Sequence, residues 1–337
     1  MWFSKHTRNA VSRIEREARR ELDALRAERR KRFRILACID GSDESYDTVR
    51  FAAKLGRGKD IDIILLYVRQ IDQGLRSGGL QVRVARENML DWGLDLPGIT
   101  FLKRGLEVLK EEGLDAADWP VSAAHTDTWN DPLGDNKVVY QRKDGKSVVL
   151  KLKTAPDVVS GILDQYELGP YNLMILGEPS KWRGEWGAMF NAGVVQKVLM
   201  LAPCSVLVAR KSYSKDAMAI CTDGTARSTD AMKRAAVLAK HAKMPVKILC
   251  AAPNRKARKI AEEHLKNAKA ILKEIKIPVA ETKELFGEPA ARIVKHGSSC
   301  AITVVSNKRT KRLQRMVHKS VAYEVIRNSK NAVLNVR

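Results

Sequence analysis

The fold is decided by Ile35-Leu-Ala-Cys-Ile-Asp-Gly-Ser-Asp-Glu-Ser45, a stretch that occurs twice in the chain. It returns as Met218-Ala-Ile-Cys-Thr-Asp-Gly-Thr-Ala-Arg-Ser228, at a constant offset of 183 residues. Each copy is a short apolar run followed by Asp-Gly-Ser or Asp-Gly-Thr, which is typical of a buried strand leading into a capped helix. The chain of 337 residues is therefore predicted to contain two copies of one unit.

Outward from this stretch, each copy alternates short apolar runs with segments of helical periodicity. Runs such as Ile61–Val68 and Tyr171–Leu176 predict strands buried on both faces, separated by helices of ten or more residues. Such alternation predicts parallel strands joined by right-handed crossovers. The predicted fold class is α/β, with two doubly wound domains, each built on a parallel five-stranded sheet.

The repeat also predicts the domain organisation. We expect a basic amphipathic helix over 1–33, a first domain over 34–210 and a second, strongly basic domain over 216–337. The two domains are expected to be related by a pseudo-twofold axis and to face each other across Ser205–Val208 and Ala332–Val336.

The first copy carries an insertion that the second lacks. Two strand-like runs around Asp144-Gly145 predict a hairpin at about 137–153 with a type I′ turn, whose first arm extends the edge of the sheet. Before it, Ala116–Asp135 is polar and rich in turn residues, which predicts a loop. Earlier still, Gln81–Glu112 is predicted to be largely helical, with an interruption near Leu96-Pro97.

These residues resemble the universal stress protein family in its tandem form. The resemblance rests on the strand-Asp-Gly-Ser/Thr-x-x-Ser opening of each unit, on the five-strand alternation, and on the strand that ends each unit. It implies the adenine-nucleotide-hydrolase-like version of the doubly wound fold, a cytoplasmic location and a non-catalytic or weakly ATP-hydrolysing regulatory function. It also implies that the two units pair through their last strands.

One branch of that family binds ATP through a Gly-x2-Gly-x9-Gly-Ser/Thr loop after the fourth strand. Glycines there let backbone N–H groups approach the phosphates at a helix N-terminus. By resemblance, the candidate ATP contacts in the first copy are Asp40, Val68, Gly177, Ser180 and Gly193. The motif departs from the family pattern, because Ser180 and Ala192 replace glycines and the loop is two residues longer. The alternative is that Asp-Gly-Ser only caps a helix.

The second copy keeps the loop spacing but has lost all three glycines. Two interpretations stay open. Either side chains bind an anion there in place of the backbone, or the site has been lost and the charged side chains are only exposed on a loop and a helix. The weak candidates are Asp223, Arg309, Lys319 and Ser320.

The net charge of +22 is unevenly distributed. Residues 1–34 hold 12 basic and 5 acidic side chains, residues 211–337 hold 28 and 10, and the middle holds 21 and 24. Basic clusters at 255–259 and 308–315 both follow predicted strands, so they are expected at one rim of the second domain. The alternative function is therefore a module that binds a polyanion or an acidic protein, led by phosphate contacts if the partner is a nucleic acid.

The N-terminal segment carries an apolar stripe at helical spacing, formed by Val11, Ile14, Ala18, Leu22 and Leu25. This stripe predicts packing on its own domain or on a second copy. Contact with an acidic partner or nucleic acid stays open, as does contact with an anionic membrane surface. Self-association through the last strands is a further expectation.

The remaining patterns exclude several functional classes. We find no nucleophile elbow, HExxH or Walker motif, and the six histidines and five cysteines lack metal-ligand spacing, so no catalytic residue and no metal site are predicted. No run reaches the roughly 20 apolar residues of a membrane span, and no secretory signal begins the sequence. The sequence thus predicts a cytoplasmic, non-enzymatic stress-response regulator or adaptor, with ATP as the expected ligand of the first domain.

Overall fold

A continuous sheet of twelve strands forms the centre of the protein. The structure is a computed structural model that describes residues 19–20, 23–24, 27, 31–71, 97–128, 131–167, 170–178, 188–212, 214–306 and 320–337. The sheet order is β10-β9-β8-β11-β12-β7-β6-β1-β2-β5-β4-β3.

The first half of the chain contributes seven strands and four described helices. The strands are β1 (Phe33–Cys38), β2 (Ile61–Gln70), β3 (Val121–Thr128), β4 (Asp131–Gln141), β5 (Ser147–Ala155), β6 (Leu173–Gly177) and β7 (Ser205–Ala209). The helices are α1 (Asp43–Leu55), α2 (Pro97–Glu111), α3 (Val158–Glu167) and α4 (Ala188–Leu201).

The second half contributes five strands and four described helices. The strands are β8 (Met218–Thr222), β9 (Val246–Ala252), β10 (Val279–Phe286), β11 (Ile302–Ser306) and β12 (Ala332–Val336). The helices are α5 (Ala226–His241), α6 (Arg258–Glu274), α7 (Pro289–Gly297) and α8 (Val321–Asn328), and a 3-10 turn at Arg255–Ala257 precedes α6.

Two units with the same strand order form this sheet. In the first unit the parallel strands lie in the order β5-β2-β1-β6-β7, and in the second in the order β10-β9-β8-β11-β12. The units meet where β7 and β12 pair antiparallel, with Leu207 opposite Leu334. The predicted doubly wound α/β class and the predicted contact between the last strands are both confirmed. β7 lies between β6 and β12, and β12 lies between β11 and β7, so the two last strands pair with each other within one chain.

Helices cover both faces of the sheet and bury one core on each. Apolar residues of α1, α2, α5 and α6 pack on one face. Those of α3, α4, α7 and α8 pack on the other. Residues of both units contribute to each cluster, so both cores continue across the antiparallel junction.

The insertion in the first unit is larger than predicted. The prediction of a loop over Ala116–Asp135 is wrong, because Val121–Thr128 forms β3 and pairs antiparallel with β4. The hairpin of β4 and β5 is confirmed, although its first arm already begins at Asp131. Its turn is not of type I′, since Gly145 has a positive φ of 88° and Asp144 does not. A single left-handed glycine is typical of a type I turn followed by a bulge.

Some predictions fall on parts of the chain outside the described residues. Of the N-terminal helix predicted over 1–33, the described residues 19–20, 23–24 and 27 are helical and exposed, and β1 already begins at Phe33. Of the predicted helix Gln81–Glu112, residues 97–111 are described and form α2.

Candidate ligand cleft

A cleft of about 440 Å³ lies at the carboxyl ends of the central strands of the first unit. It opens beside β1 and β6, where the direction of strand progression reverses, which is the place where doubly wound sheets bind ligands. Of the candidates predicted from the sequence, Asp40, Val68 and Gly177 all line it. The structure therefore brings together three side chains or backbone positions that are far apart in the sequence.

Asp40 is held in a fixed geometry by the turn that follows β1. Its Oδ1 accepts hydrogen bonds from the backbone N of Ser42 at 3.0 Å and from Ser42 Oγ at 2.5 Å. Ser42 Oγ in turn accepts from the backbone N of Ser45 at 3.2 Å and caps α1. The carboxylate is exposed at the rim of the cleft, oriented by the same turn that begins the helix.

The second unit repeats this turn around Asp223. Its Oδ1 accepts from the backbone N of Thr225 at 3.0 Å and from Thr225 Oγ1 at 2.7 Å, and Thr225 caps α5. Partial burial opposes ionisation of Asp223, but hydrogen bonding with Ser228 and Thr225 outweighs it and lowers the pKa of the carboxyl. The same bonds occur in both units, so capping a helix accounts for the turn itself.

Close backbone packing explains why Gly177 ends β6. A Cβ at this position would lie 2.9 Å from the carbonyl oxygen of Glu44 and 3.2 Å from Cα of Ser45, both in the first turn of α1. The register of the strands makes Ser306 the corresponding residue of the second unit. In the first unit, the N-terminus of α1 therefore lies closer to the end of β6 than any residue with a Cβ at position 177 would allow.

Of the two remaining candidates of the first unit, the structure describes Gly193 but not Ser180. A Cβ on Gly193 would meet no atom within 4 Å, although its neighbours Val194 and Val195 line the cleft. Ser180 lies outside the described residues, as do most residues of the predicted phosphate loop.

One wall of the cleft is apolar and its rim is charged. Val68 is part of this wall, and its side chain packs so closely on α3 that a Cβ on Gly161 would lie 2.5 Å from it. The apolar wall is formed by Leu66, Val68, Val158, Ile162, Leu176, Val194 and Val195. The charged groups at the rim are Asp40, Glu44, Glu178 and Arg69. A flat apolar ring that carries hydrogen-bond donors suits such a lining.

The rim residue Glu178 belongs to a contact between the two units that sequence reasoning missed. Glu178 Oε2 lies 2.7 Å from Nε of Arg210, whose side chain is only 2% exposed. Arg210 also donates to the carbonyl oxygens of Ile326, in α8, at 2.6 Å and of Asn331 at 3.0 Å. The only signal in the sequence is that an arginine directly follows the apolar run of β7.

The antiparallel junction places Arg337 in the matching position at the end of β12. Its guanidinium donates to the carbonyl oxygens of Leu199, Met200 and Ala202 at the end of α4. Each unit therefore ends in an arginine that donates to carbonyl oxygens in or just after the last helix of the other unit.

In the second unit the structure assigns a local role to Ser320, whose Oγ accepts from the backbone N of Tyr323 at 3.2 Å and caps α8. Arg309 and Lys319 lie outside the described residues, as does the basic cluster 308–315. The other cluster, 255–259, follows β9 as predicted, and its basic side chains are exposed.

The cysteines sit in apolar surroundings. Burial raises the pKa of Cys204 and of Cys221 to about 12 and that of Cys250 to about 11. Burial also raises the pKa of Cys38 and Cys300. All five are free thiols that stay protonated at neutral pH, consistent with structural residues. Within the described part of the chain, no group of three or more His, Cys, Asp or Glu side chains is arranged to hold a metal ion.

No described helix combines the length and the apolar character that crossing a membrane requires.

Comparison with solved structures identifies the fold. A universal stress protein from Archaeoglobus fulgidus superposes with a TM-score of 0.59 at 14% identity, over 90% of this chain and 96% of its own. A universal stress protein described as putative, from Pseudomonas aeruginosa, gives a TM-score of 0.55 at 14% identity, over 92% of this chain and 94% of its own. A functionally unknown protein from Pseudomonas aeruginosa gives 0.54 at 14% identity over the same shares. The chain thus has the fold of universal stress proteins, matched over most of both chains, as the motif resemblance implies. No protein-family model matches the sequence, and no curated protein is similar to it.

Proposed function

We propose that the protein is a nucleotide-responsive regulatory or adaptor protein whose first unit binds an adenine nucleotide, with ATP as the expected ligand. The observation that supports this proposal most is the cleft itself, which lies beside β1 and β6 and gathers Asp40, Val68 and Gly177. In a doubly wound sheet this position is the general ligand site.

The described residues fit the adenosine half of such a ligand. The apolar wall around Val68 suits the flat faces of the base, and the fixed carboxylate of Asp40 suits the hydroxyl groups of a ribose. The missing Cβ of Gly177 lets the N-terminus of α1 approach the end of β6. The phosphates belong, in this proposal, to the segment that contains Ser180 and Gly193.

A matched pair of substitutions tests the site. Asp40→Asn keeps the size of the side chain and the oxygen that accepts from Ser42 but removes the charge, and Asp223→Asn makes the same change in the second unit. Because a hydrogen bond to a charged group contributes about 1.5–3 kcal/mol, we expect Asp40→Asn to weaken ATP binding at least about tenfold and Asp223→Asn to leave it unchanged. Isothermal titration calorimetry with ATP, AMP and adenosine measures this.

Two results would contradict the proposal: no binding of any of the three compounds to the wild type, or equal affinities of the two variants. Phosphate release, followed in the same samples, separates binding from hydrolysis. We expect ATP to remain intact, and a steady release abolished by Asp40→Asn would make the protein an ATPase instead.

A second candidate function uses the basic rim of the second unit. Lys256, in the 3-10 turn that Asn254 caps, and Lys259, in the first turn of α6, are both exposed, and no acidic residue occurs in that 3-10 turn. We propose that this rim, together with 308–315, binds a polyanion or an acidic protein. Its binding should weaken steeply with salt.

Retention on immobilised heparin tests this second candidate. The variant Lys256→Ser/Lys259→Ser should elute at lower salt, and its plot of log affinity against log salt should be shallower by about one for each lost contact. The control Lys233→Ser/Lys240→Ser removes the same charge from α5. Equal elution of the two variants would show that net charge alone causes retention.

A further inference from the structure

Among the described residues, the second unit leaves one edge of the sheet open where the first unit is covered. β10 is the terminal strand of the sheet, with β9 as its single neighbour in the described structure, and its residues 280–283 are exposed. The matching strand of the first unit is β5, because Lys151 and Lys283 occupy equivalent positions in the two strand registers. β5 pairs antiparallel with β4 on the edge that corresponds to the open edge of β10. The first unit thus carries an additional strand, β4, at the edge that corresponds to the open edge of β10 in the second unit.

Cations line this edge on the side of α6. Arg258 lies 3.5 Å from Glu284 of β10, which shows that this side of the helix faces the strand. Lys269 and Lys273 follow at spacings of 11 and 15 residues, so the helical repeat places them on the same flank as Arg258. Both are exposed, and neither belongs to an ion pair of the described residues.

Cations also line the edge on the side of α7. Lys283 of β10 and His296 of α7 line the same small cavity. After burial, the charges of Lys283, Lys295 and Arg292 lower the pKa of His296, against the opposing charge of Glu281. The acidic residues of β10 are already paired, Glu281 with Lys247 at 2.7 Å and Glu284 with Arg258. The open edge therefore has a surplus of positive charge on both faces.

We propose that β10 is a docking edge for an extended acidic segment of a partner protein, which adds to the sheet as an antiparallel strand. Main-chain hydrogen bonds to β10 supply the attachment, and the cations of α6 and α7 select acidic side chains. A second copy of this chain is the poorer occupant, because joining two such edges would bring two cationic rows together.

A short peptide of alternating glutamate and valine is the probe for this proposal. Its fluorescence anisotropy, titrated with the full chain, gives the affinity. We expect Lys269→Glu/Lys273→Glu to weaken binding at least about tenfold, since it reverses the charge beside the strand. The control Lys233→Glu/Lys240→Glu makes the same change in net charge on α5 and should retain most of the affinity. Equal losses in the two variants would overturn the proposed location.

Two further measurements test whether the peptide docks as a strand. Methylating every second backbone nitrogen of the peptide blocks one of its hydrogen-bonding edges. We expect one alternating set of methyl groups to abolish binding and the other set to be tolerated. Hydrogen exchange should slow at residues 279–286 when the unmodified peptide binds. Absence of binding, equal binding of both methylated peptides, or protection confined to 255–259 would each refute the proposal.

Discussion

Replacing Arg210 by methionine tests how the two units are held together. The methionine side chain fills much of the same space but removes every hydrogen-bond donor of the guanidinium. The carbonyl oxygens of Ile326 and Asn331 then lose their donor inside the protein, and Glu178 loses its cation. We expect the free energy of unfolding to fall.

The size of the loss follows from the burial of these groups. Arg210 is 2% exposed, and a buried charge pair that loses one partner typically costs about 3–5 kcal/mol. Each orphaned carbonyl is worth about 1–3 kcal/mol, but these costs overlap and do not add. Glu178 is 22% exposed and regains water, which moderates the total. We therefore expect the free energy of unfolding to fall by about 3–4 kcal/mol. This is a large part of the total for a typical protein, which is about 5–15 kcal/mol.

Urea unfolding followed by circular dichroism measures this loss. The control is Lys211→Met, which alters the next residue along the chain, an exposed one, and should change the free energy by less than about 0.5 kcal/mol. In the background of Glu178→Gln, the effect of Arg210→Met should shrink, because the partner charge is already absent. A loss below about 1 kcal/mol, close to that of a surface substitution, would refute the reasoning.

Further predictions concern a buried lysine and two glycines. Burial lowers the pKa of Lys146 from 10.5 to about 8, so folding disfavours the charged form of this side chain. The free energy of unfolding of the wild type, relative to that of Lys146→Met, should therefore rise by up to about 3 kcal/mol between pH 7.5 and 10.5. Urea titrations measure this difference, and a difference that stays constant across this pH range would contradict the prediction. Gly41 and Gly113 both have a positive φ, but a Cβ on Gly41 would lie 2.5 Å from the ring of Phe101 whereas Gly113 has open space. Thermal unfolding should show Gly113→Ala destabilised by about 1 kcal/mol and Gly41→Ala by roughly 1–3 kcal/mol more; equal losses would show that the ring moves aside.

The repeat made most of the fold predictable from the sequence. Once Asp40 and Asp223 are aligned, the apolar runs of each unit predict its buried strands. This works because a parallel strand covered on both faces contains few polar residues. The pairing of β7 with β12 was implied by the family resemblance. In both units the local sequence patterns favour the same strands and helices that the whole fold requires, and such consistency makes a fold predictable from its sequence.

The edge strand β3 shows where this reasoning fails. Residues 121–126 of this strand are all exposed, so the part whose burial is described has no buried face, and Val121 is 57% exposed. Backbone pairing with β4 holds it in place, and such pairing leaves no hydrophobic pattern in the sequence. Lys146 was missed for a related reason, since a lysine in a turn gives no sign that its ammonium donates to the buried carbonyl of Gly56.

The candidate site was predictable in part, for reasons that depend on the type of residue. Asp40 and Gly177 became candidates through the family resemblance, at motif positions where a turn and a close backbone approach demand particular residues. The apolar wall was not found, because Val158, Ile162 and Val195 are indistinguishable in sequence from core residues. Which apolar side chains face a cleft is determined by how helices sit on the sheet, and this is a property of the assembled layers.

The antiparallel junction has a consequence for how two ligands could act. Because β7 and β12 run in opposite directions, the carboxyl ends of the parallel strands point one way in the first unit and the opposite way in the second. The cleft at Asp40 and the basic rim at 255–259 therefore lie at opposite ends of the strands, too far apart for one small molecule to touch both. Coupling between them would have to cross from one unit to the other, and Arg210 is placed for this because it contacts both the cleft rim, at Glu178, and the last helix of the second unit.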